Sequence, residues 1–398
     1  MLFSLTIGKQ CILEKASEIL NLEDGCTEIV GNVRIENITR QFYTPEALEQ
    51  KFSSVTKIVG LVYILNTELT AITFLRNLEI IEFNLDGSQN TSQLLSPFIV
   101  AANLKAQSFD LNKFAKIVYA PSILYPILIH TNSFCIEESL YIQLLENFSI
   151  IGQTDVCKPS KKYCTTPFPP SDRPIFTELS FPSDCQVLVA SIVLHGSNAT
   201  DAINDKLKNI EVIYGTIIIS QTEITKLELP NLSRIVNPYG LFKQERNYFY
   251  PGMSIIDNKK LLSINLAKLT SVSVPNKLIN SSSRSDFDAV EGDQQLNFAY
   301  NSMLQLTEPF CDQITKLAED GRFKVAFLNN ANDCNFGNTS SNNSINYDGI
   351  YEGVDLNTTT LIENSTESGD IQLSEPKFYC RNQFSHFLLI IIALIFTF

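Results

Sequence analysis

The sequence contains no tryptophan, and only three histidines and three methionines in 398 residues. So few imidazoles leave little for metal ligation or for proton transfer near neutral pH. His130 and His195 fall on outward strand positions and read as surface residues. Gly-x-Ser-x-Gly, the phosphate-binding loop and His-Glu-x-x-His are all missing, as are the kinase signatures Gly-x-Gly-x-x-Gly and His-Arg-Asp. The carboxylate pair Glu137-Glu138 points in different directions on a helix and reads as solvated. Basic residues are also scarce. With 30 Lys and Arg against 43 Asp and Glu, the formal charge of −13 argues against nucleic acid or an anionic membrane surface as a partner. No catalytic activity, metal or cofactor is expected.

What the chain does have is a duplication. Val55-x-x-Ile58-x-Gly60-x-Val62-x-Ile64, followed by Asn66-Thr67-Glu68-Leu69-Thr70, returns as Ile210-x-x-Ile213-x-Gly215-x-Ile217-x-Ile219 with Gln221-Thr222-Glu223-Ile224-Thr225. The matched positions are 155 residues apart throughout, as in Ile58 and Ile213 or Thr67 and Thr222. After one gap Asn77-Leu78-x-x-Ile81 answers Asn231-Leu232-x-x-Ile235. A fixed-offset match of this length marks an internal repeat.

Within each copy the apolar period is two, the mark of strands with one buried face. Ile29, Val33 and Ile35 are expected to point inward, with Leu188, Ile192 and Leu194 as their counterparts. Thr44-Pro45-Glu46 supplies a cap, a first-turn proline and a first-turn acid for a short helix that buries Leu48 and Phe52. Thr200-Asp201 to Leu207 plays the same part later. Further coils are expected over Phe98–Leu104, Leu111–Val118 and Ile127–His130, and over Ser254–Asp257, Leu261–Leu269 and Leu296–Tyr300, where Leu261–Leu269 is the run most like a leucine-rich repeat. Amphipathic helices carrying Leu140, Leu144, Leu145 and Phe148, and Cys311, Ile314, Leu317 and Ala318, read as end caps. Strands at roughly 25-residue spacing with polar corners predict a mainly β fold with short helices, a solenoid whose turns each add a strand to a parallel sheet.

Eight of the nine cysteines fall into two matching sets, Cys11, Cys26, Cys135 and Cys157, then Cys164, Cys185, Cys311 and Cys334. With no Cys-x-x-Cys pair or Cys/His cluster to hold a metal, they read as disulfides of an oxidising compartment, although eight cysteines allow 105 pairings. Asn-x-Ser/Thr sequons at Asn37, Asn90, Asn147, Asn198, Asn231, Asn280, Asn338, Asn342, Asn357 and Asn364 agree with secretion.

The Gly-x-hydrophobic-x-Ile strand followed by Asn-Leu-x-x-Ile, present in both copies with its cysteines, resembles the receptor L domain found twice in insulin and EGF receptor ectodomains. The resemblance implies two tandem right-handed β-helix, leucine-rich-repeat-like domains. It also implies the pairings Cys11–Cys26, Cys135–Cys157, Cys164–Cys185 and Cys311–Cys334. Those receptors place a long cysteine-rich region between their L domains, whereas only six residues separate Cys157 from Cys164 here. The family that this chain resembles includes kinase-less L-domain proteins of nematodes, which implies a binding protein for growth-factor or hormone peptides, or for a receptor ectodomain. A structural or adhesive extracellular role is the alternative.

If Val33, Ile35, Val62 and Ile64 face the core, then Arg34, Glu36, Tyr63 and Leu65 share the outer face. Val193, His195, Thr216, Ile218 and Ser220 do so in the second copy. Exposed Tyr63, Leu65, Val193 and Ile218 would form a partner surface, unless a loop, a glycan or a second buried layer covers them. The resemblance implies the former, since this L-domain face contacts peptide hormone in the receptors.

The segments follow. Residues 1–10 read as a truncated start or the remnant of a signal. L domain 1 takes 11–157, a proline-rich linker 158–184, and L domain 2 185–334 with Cys164 pairing into it. A glycosylated stalk and spacer rich in Asn, Ser and Thr fills 335–383. The last segment, 384–398, ends in twelve uncharged residues from Phe387 to Phe398. That run is short for a membrane span of about 17–25 residues and suits a glycolipid-anchor signal, with a short transmembrane anchor as its rival. Cys380, the odd cysteine, lies in the spacer. The expected location is the extracellular side of the plasma membrane, or the medium.

Overall fold

The computed structural model describes residues 8–36, 43–83, 96–118, 127–131, 133–148, 150–152, 154–165, 175–176, 182–237, 251–273, 294–321 and 324–334. The leader 1–7, the tail 335–398 with its stalk, Cys380 and apolar run, and the sequons at Asn37, Asn90, Asn280, Asn338, Asn342, Asn357 and Asn364 lie outside the described residues. The rest is mainly β with short helices, and the paired strands run parallel.

Two larger sheets, A and B, dominate each half beside smaller two-stranded ones, and the chain returns to A and B in turn. In the first half the A sheet is Gln10–Ile12, Glu28–Val30, Lys57–Val59, Ile80–Glu82 and Lys116–Val118, in that spatial order. The B sheet is Val33–Glu36, Val62–Leu65, Phe98–Ala101, Ile127–Ile129 and Ile150–Ile151. In the second half the A sheet is Tyr163–Thr165, Val187–Val189, Val212–Tyr214, Arg234–Val236 and Ser271–Ser273. Its B sheet has six strands, Ile175–Phe176, Ser191–His195, Ile217–Ser220, Met253–Ile256, Gln294–Ala299 and Lys324–Leu328. Two of these, Tyr163–Thr165 and Ile175–Phe176, fall inside the stretch expected to be linker. Cys164, bonded to Cys185, carries the first of them onto the sheet.

The two-residue period fixes the core. Val33, Val62, Phe98 and Ile127 stand in one cross-strand row, and Ile35, Ile64, Val100 and Ile129 in the next, all fully buried. Ile29, Ile58, Ile81 and Ile117 face them from the A sheet. The second half repeats the scheme with Ile192, Ile217, Met253 and Leu296 and with Leu194, Ile219, Ile255 and Phe298. Each isoleucine or leucine so buried contributes roughly 1.5–3 kcal/mol.

The corners are duplicated too. Thr67 Oγ1 donates to Asn103 Oδ1 at 2.7 Å while Asn103 Nδ2 donates to the Ile64 carbonyl. Thr222, Asn258 and the Ile219 carbonyl repeat this at 2.8 and 3.0 Å, and Asn301 and Asn330 extend the ladder. Buried backbone carbonyls at each bend thereby find a donor that no strand supplies. The preceding residue takes a left-handed conformation at Asn66, Ala102, Gln221, Asp257, Tyr300 and Asn329. Gly60 and Gly215 are explained by close approach. A Cβ there would lie 2.3 Å from the Gly31 carbonyl oxygen and 2.2 Å from that of Ala190.

Helix α1, Pro45–Phe52, begins with Thr44 accepting from the Ala47 N–H and buries Leu48 and Phe52. Helix α2, Glu138–Asn147, starts at Glu138, since Cys135 stands ahead of the short strand Ile136–Glu137. Helix α3, Asn204–Leu207, is a single turn after a 3-10 segment, and α4, Glu308–Gly321, begins ahead of Cys311. The disulfides are Cys11–Cys26, Cys135–Cys157, Cys164–Cys185 and Cys311–Cys334. Such bridges stabilise by about 2–4 kcal/mol each, largely by restricting the unfolded chain.

Candidate binding face

The outer face of the first half's B sheet brings the expected residues together. Arg34, Tyr63, Ile99 and Leu128 form one cross-strand row, and Glu36, Leu65 and Ala101 the next. Arg34 is exposed, while Glu36, Leu65, Ala101 and Leu128 are half-buried. Tyr63 is the exception. It was expected to stand in solvent and is only 3% exposed. Neighbouring strands lie about 4.8 Å apart, so its ring is walled in between Arg34, whose guanidinium sits 5.2 Å from the ring centroid, and Ile99. That stacking adds roughly 0.5–1 kcal/mol in an exposed setting. Burial pushes the Tyr63 hydroxyl up to about 12, and among the described residues its oxygen has no hydrogen-bond partner. A buried hydroxyl left unsatisfied costs about 1–3 kcal/mol.

The matching face of the second half is different. Val193 and Ile218 are half-buried, but their row continues into Ser254 and Asn297, each 4% exposed. Asn297 Oδ1 is buried without a partner among the described residues. Thr216 and Ser220 were placed outward and prove buried, Thr216 through bonds to the Ser191 hydroxyl and Ser220 beside His195. His195 is exposed, with Nδ1 2.9 Å from Ser220 Oγ. His130 is half-buried instead of superficial, and desolvation lowers its pKa. Glu138 is not simply solvated either. It accepts from the Ser160 N–H and hydroxyl and from the Tyr163 hydroxyl, and the Ser160 bonds hold its pKa below the ordinary value.

The sequence reading missed Ile99 and Leu128, although the signal was present. Each lies between inward residues, Phe98 and Val100 in one strand and Ile127 and Ile129 in the other. Among the described residues no group of His, Cys, Asp and Glu is placed to hold a metal, and no helix is long and apolar enough to cross a membrane.

Residues 25–145 match the Receptor L domain family model. The protein irld-34 of Caenorhabditis elegans is 29% identical over 281 residues, covering 68% of this chain and 66% of that protein, just under two thirds of its length. The family model falls on the strands Glu28–Val30 through Ile127–Ile129 that carry the Arg34–Tyr63 row, so this stretch is similar to the receptor L domain and the wider chain to a nematode protein.

Proposed function

We propose that the protein is a non-catalytic binder in which two L domains, 11–157 and 185–334 with Cys164, form tandem right-handed solenoids. The alternation of the chain between A and B sheets and the asparagine at successive corners support that architecture. The first half's B sheet captures an insulin-like or EGF-like peptide, or a receptor ectodomain. The observation that carries this reading is the Arg34–Tyr63 row, where an exposed cation lies on a ring whose buried hydroxyl has no partner among the described residues. Leu65 and Leu128 flank it with half-buried apolar area, the mixture of anchor and rim that contact surfaces use.

The same reading holds the protein outside the cell on a glycolipid, with the apolar segment 384–398 acting as the signal that is removed when the anchor is added. Of the sequons at Asn147, Asn198 and Asn231, glycan falls on Asn198, which is exposed. The amide nitrogen of Asn147 donates to the Gln143 carbonyl and that of Asn231 to the Lys208 carbonyl, both at 2.7 Å. A binding screen of the secreted protein against insulin-like and EGF-like peptides and receptor ectodomains tests the assignment. Saturable capture of one class supports it, and none from any class refutes it.

A further inference from the structure

The A sheets of the two halves share a register and differ on the outside. Around the inward Ile29, Ile58 and Ile81, the first half sets Glu28, Val30, Lys57, Val59, Ile80 and Glu82 outward, all half-buried. Lys57 pairs with Glu82 at 2.8 Å and with Glu28 at 3.7 Å, a charged face that suits water. Around the equivalent Leu188, Ile213 and Ile235 the second half sets Val187, Val189, Val212, Tyr214, Arg234 and Val236 outward. Val187, Val189, Tyr214 and Val236 are 1–9% exposed.

What covers them is the first half. These four residues belong to one apolar cluster with Leu140, Tyr141, Leu144 and Leu145 of α2, and Val212 and Tyr163 pack against it. Glu146, near the end of α2, forms a two-armed ion pair with Arg234, the second arm at 2.7 Å, and accepts from the Tyr214 hydroxyl at 3.4 Å. The hydrogen bonds to Glu146 raise the Arg234 pKa, and burial pushes the Tyr214 hydroxyl up to about 12. Glu138 at the start of the helix holds Ser160 and Tyr163, and Lys161 reaches Glu211 at 2.7 Å. By contrast α4, the matching helix of the second half, shows Asp312, Lys316, Glu319 and Asp320 to solvent.

We propose that the A sheet of the second half is a docking surface made for α2 of the first, and that this joint turns the two halves into one cooperative body. The occupant is fixed by the apolar cluster and by the placement of Glu146 against Arg234, and both halves lie within one compact unit. The two B sheets are then held at a set angle, so the protein meets its partner with a preset surface and does not close around it. This inference stands whether or not the first half's B sheet proves to be the binding face.

Calorimetry and amide hydrogen exchange on the full chain test it. The wild-type protein is expected to unfold in one transition, with α2 and the strands Val212–Tyr214 and Arg234–Val236 exchanging together. Arg234→Glu or Glu146→Arg alone sets like charges against each other. Each should speed exchange in 138–147 by roughly tenfold or more and split the transition. The double variant should restore a single transition. Separate unfolding of the halves in the wild-type protein overturns the proposal even if a variant fails to fold. So do single variants that stay coupled, or a double variant that behaves as badly as either single.

Discussion

The two A sheets carry the same inward isoleucines and leucines in the same register, yet one faces water and the other lies against a helix. Lys57 on the charged face corresponds to Val212 on the covered one, and Val59 to Tyr214. The residues that define the fold therefore leave open which surfaces are buried, and the outward half of the alternation decides it. The B sheets differ in the same way. The first has Arg34 over Tyr63, and the second has small polar residues, Ser254 and Asn297, in its equivalent row.

Exchanging the two A faces should give the largest effect. Introducing the first half's charges as Val187→Glu, Val212→Lys and Val236→Glu puts ions against α2. A loss above about 4 kcal/mol is expected, since an unpaired buried charge is strongly destabilising, and secretion should fall sharply. The converse set, Glu28→Val, Lys57→Val and Glu82→Val, should change stability by less than about 1 kcal/mol, because exposed ion pairs contribute little. It should instead make the protein self-associate in light scattering, through the new apolar face. Equal stability loss from both sets would erase the distinction between the sheets.

Next comes Tyr63 against its neighbours. Tyr63→Ala should cost about 3–5 kcal/mol, as for a buried aromatic ring, and Ile64→Ala about 2–5 kcal/mol, whereas Leu65→Ala should unfold close to wild type. Tyr63→Phe removes the buried hydroxyl and should be neutral or slightly stabilising in denaturant titration. A destabilised Tyr63→Phe would mean the hydroxyl has a partner in the folded protein.

The smallest effect is on pH. Glu138 and Glu211 bind the segment 158–163 to the rest of the chain, through Ser160 and Tyr163 for the one and Lys161 for the other. Hydrogen bonds from Ser160 and from Lys161 hold their pKa values below the ordinary 4.5. Their contribution is therefore complete above pH 4.5 and is lost as pH falls through the depressed values. The hydrogen-exchange protection across 158–165, taken relative to the intrinsic rate at each pH, should fall on acidification and stay constant near neutrality. A loss of protection on the alkaline side would assign the contact to other groups.

The inward rows were readable in the sequence, because Ile29, Val33, Ile35, Val62 and Ile64 announce the strand period without any partner. The corner ladder was legible in principle, since Asn103 and Asn258 stand at the same offset as Thr67 and Thr222. Tyr63 could not be read correctly, as its burial depends on which residues the register sets beside it, and the sequence names only those along its own strand. The joint was hidden for a related reason. Val187, Val189, Val212, Tyr214 and Val236 are plainly apolar at outward positions, but the sequence does not say that α2, some forty or more residues earlier in the chain, lies across them.

The central claim is that the first half's B sheet binds the partner, and affinity measurement on surface variants tests it most directly. Leu65→Ala and Arg34→Ala, each secreted at the wild-type level, should lose roughly thirtyfold or more in affinity for the captured peptide, the cost of truncating a hot spot. His195→Ala, on the second half's B sheet, should bind as the wild-type protein does. If the first two variants bind unchanged while His195→Ala loses the partner, the binding face lies on the second half and the account is contradicted.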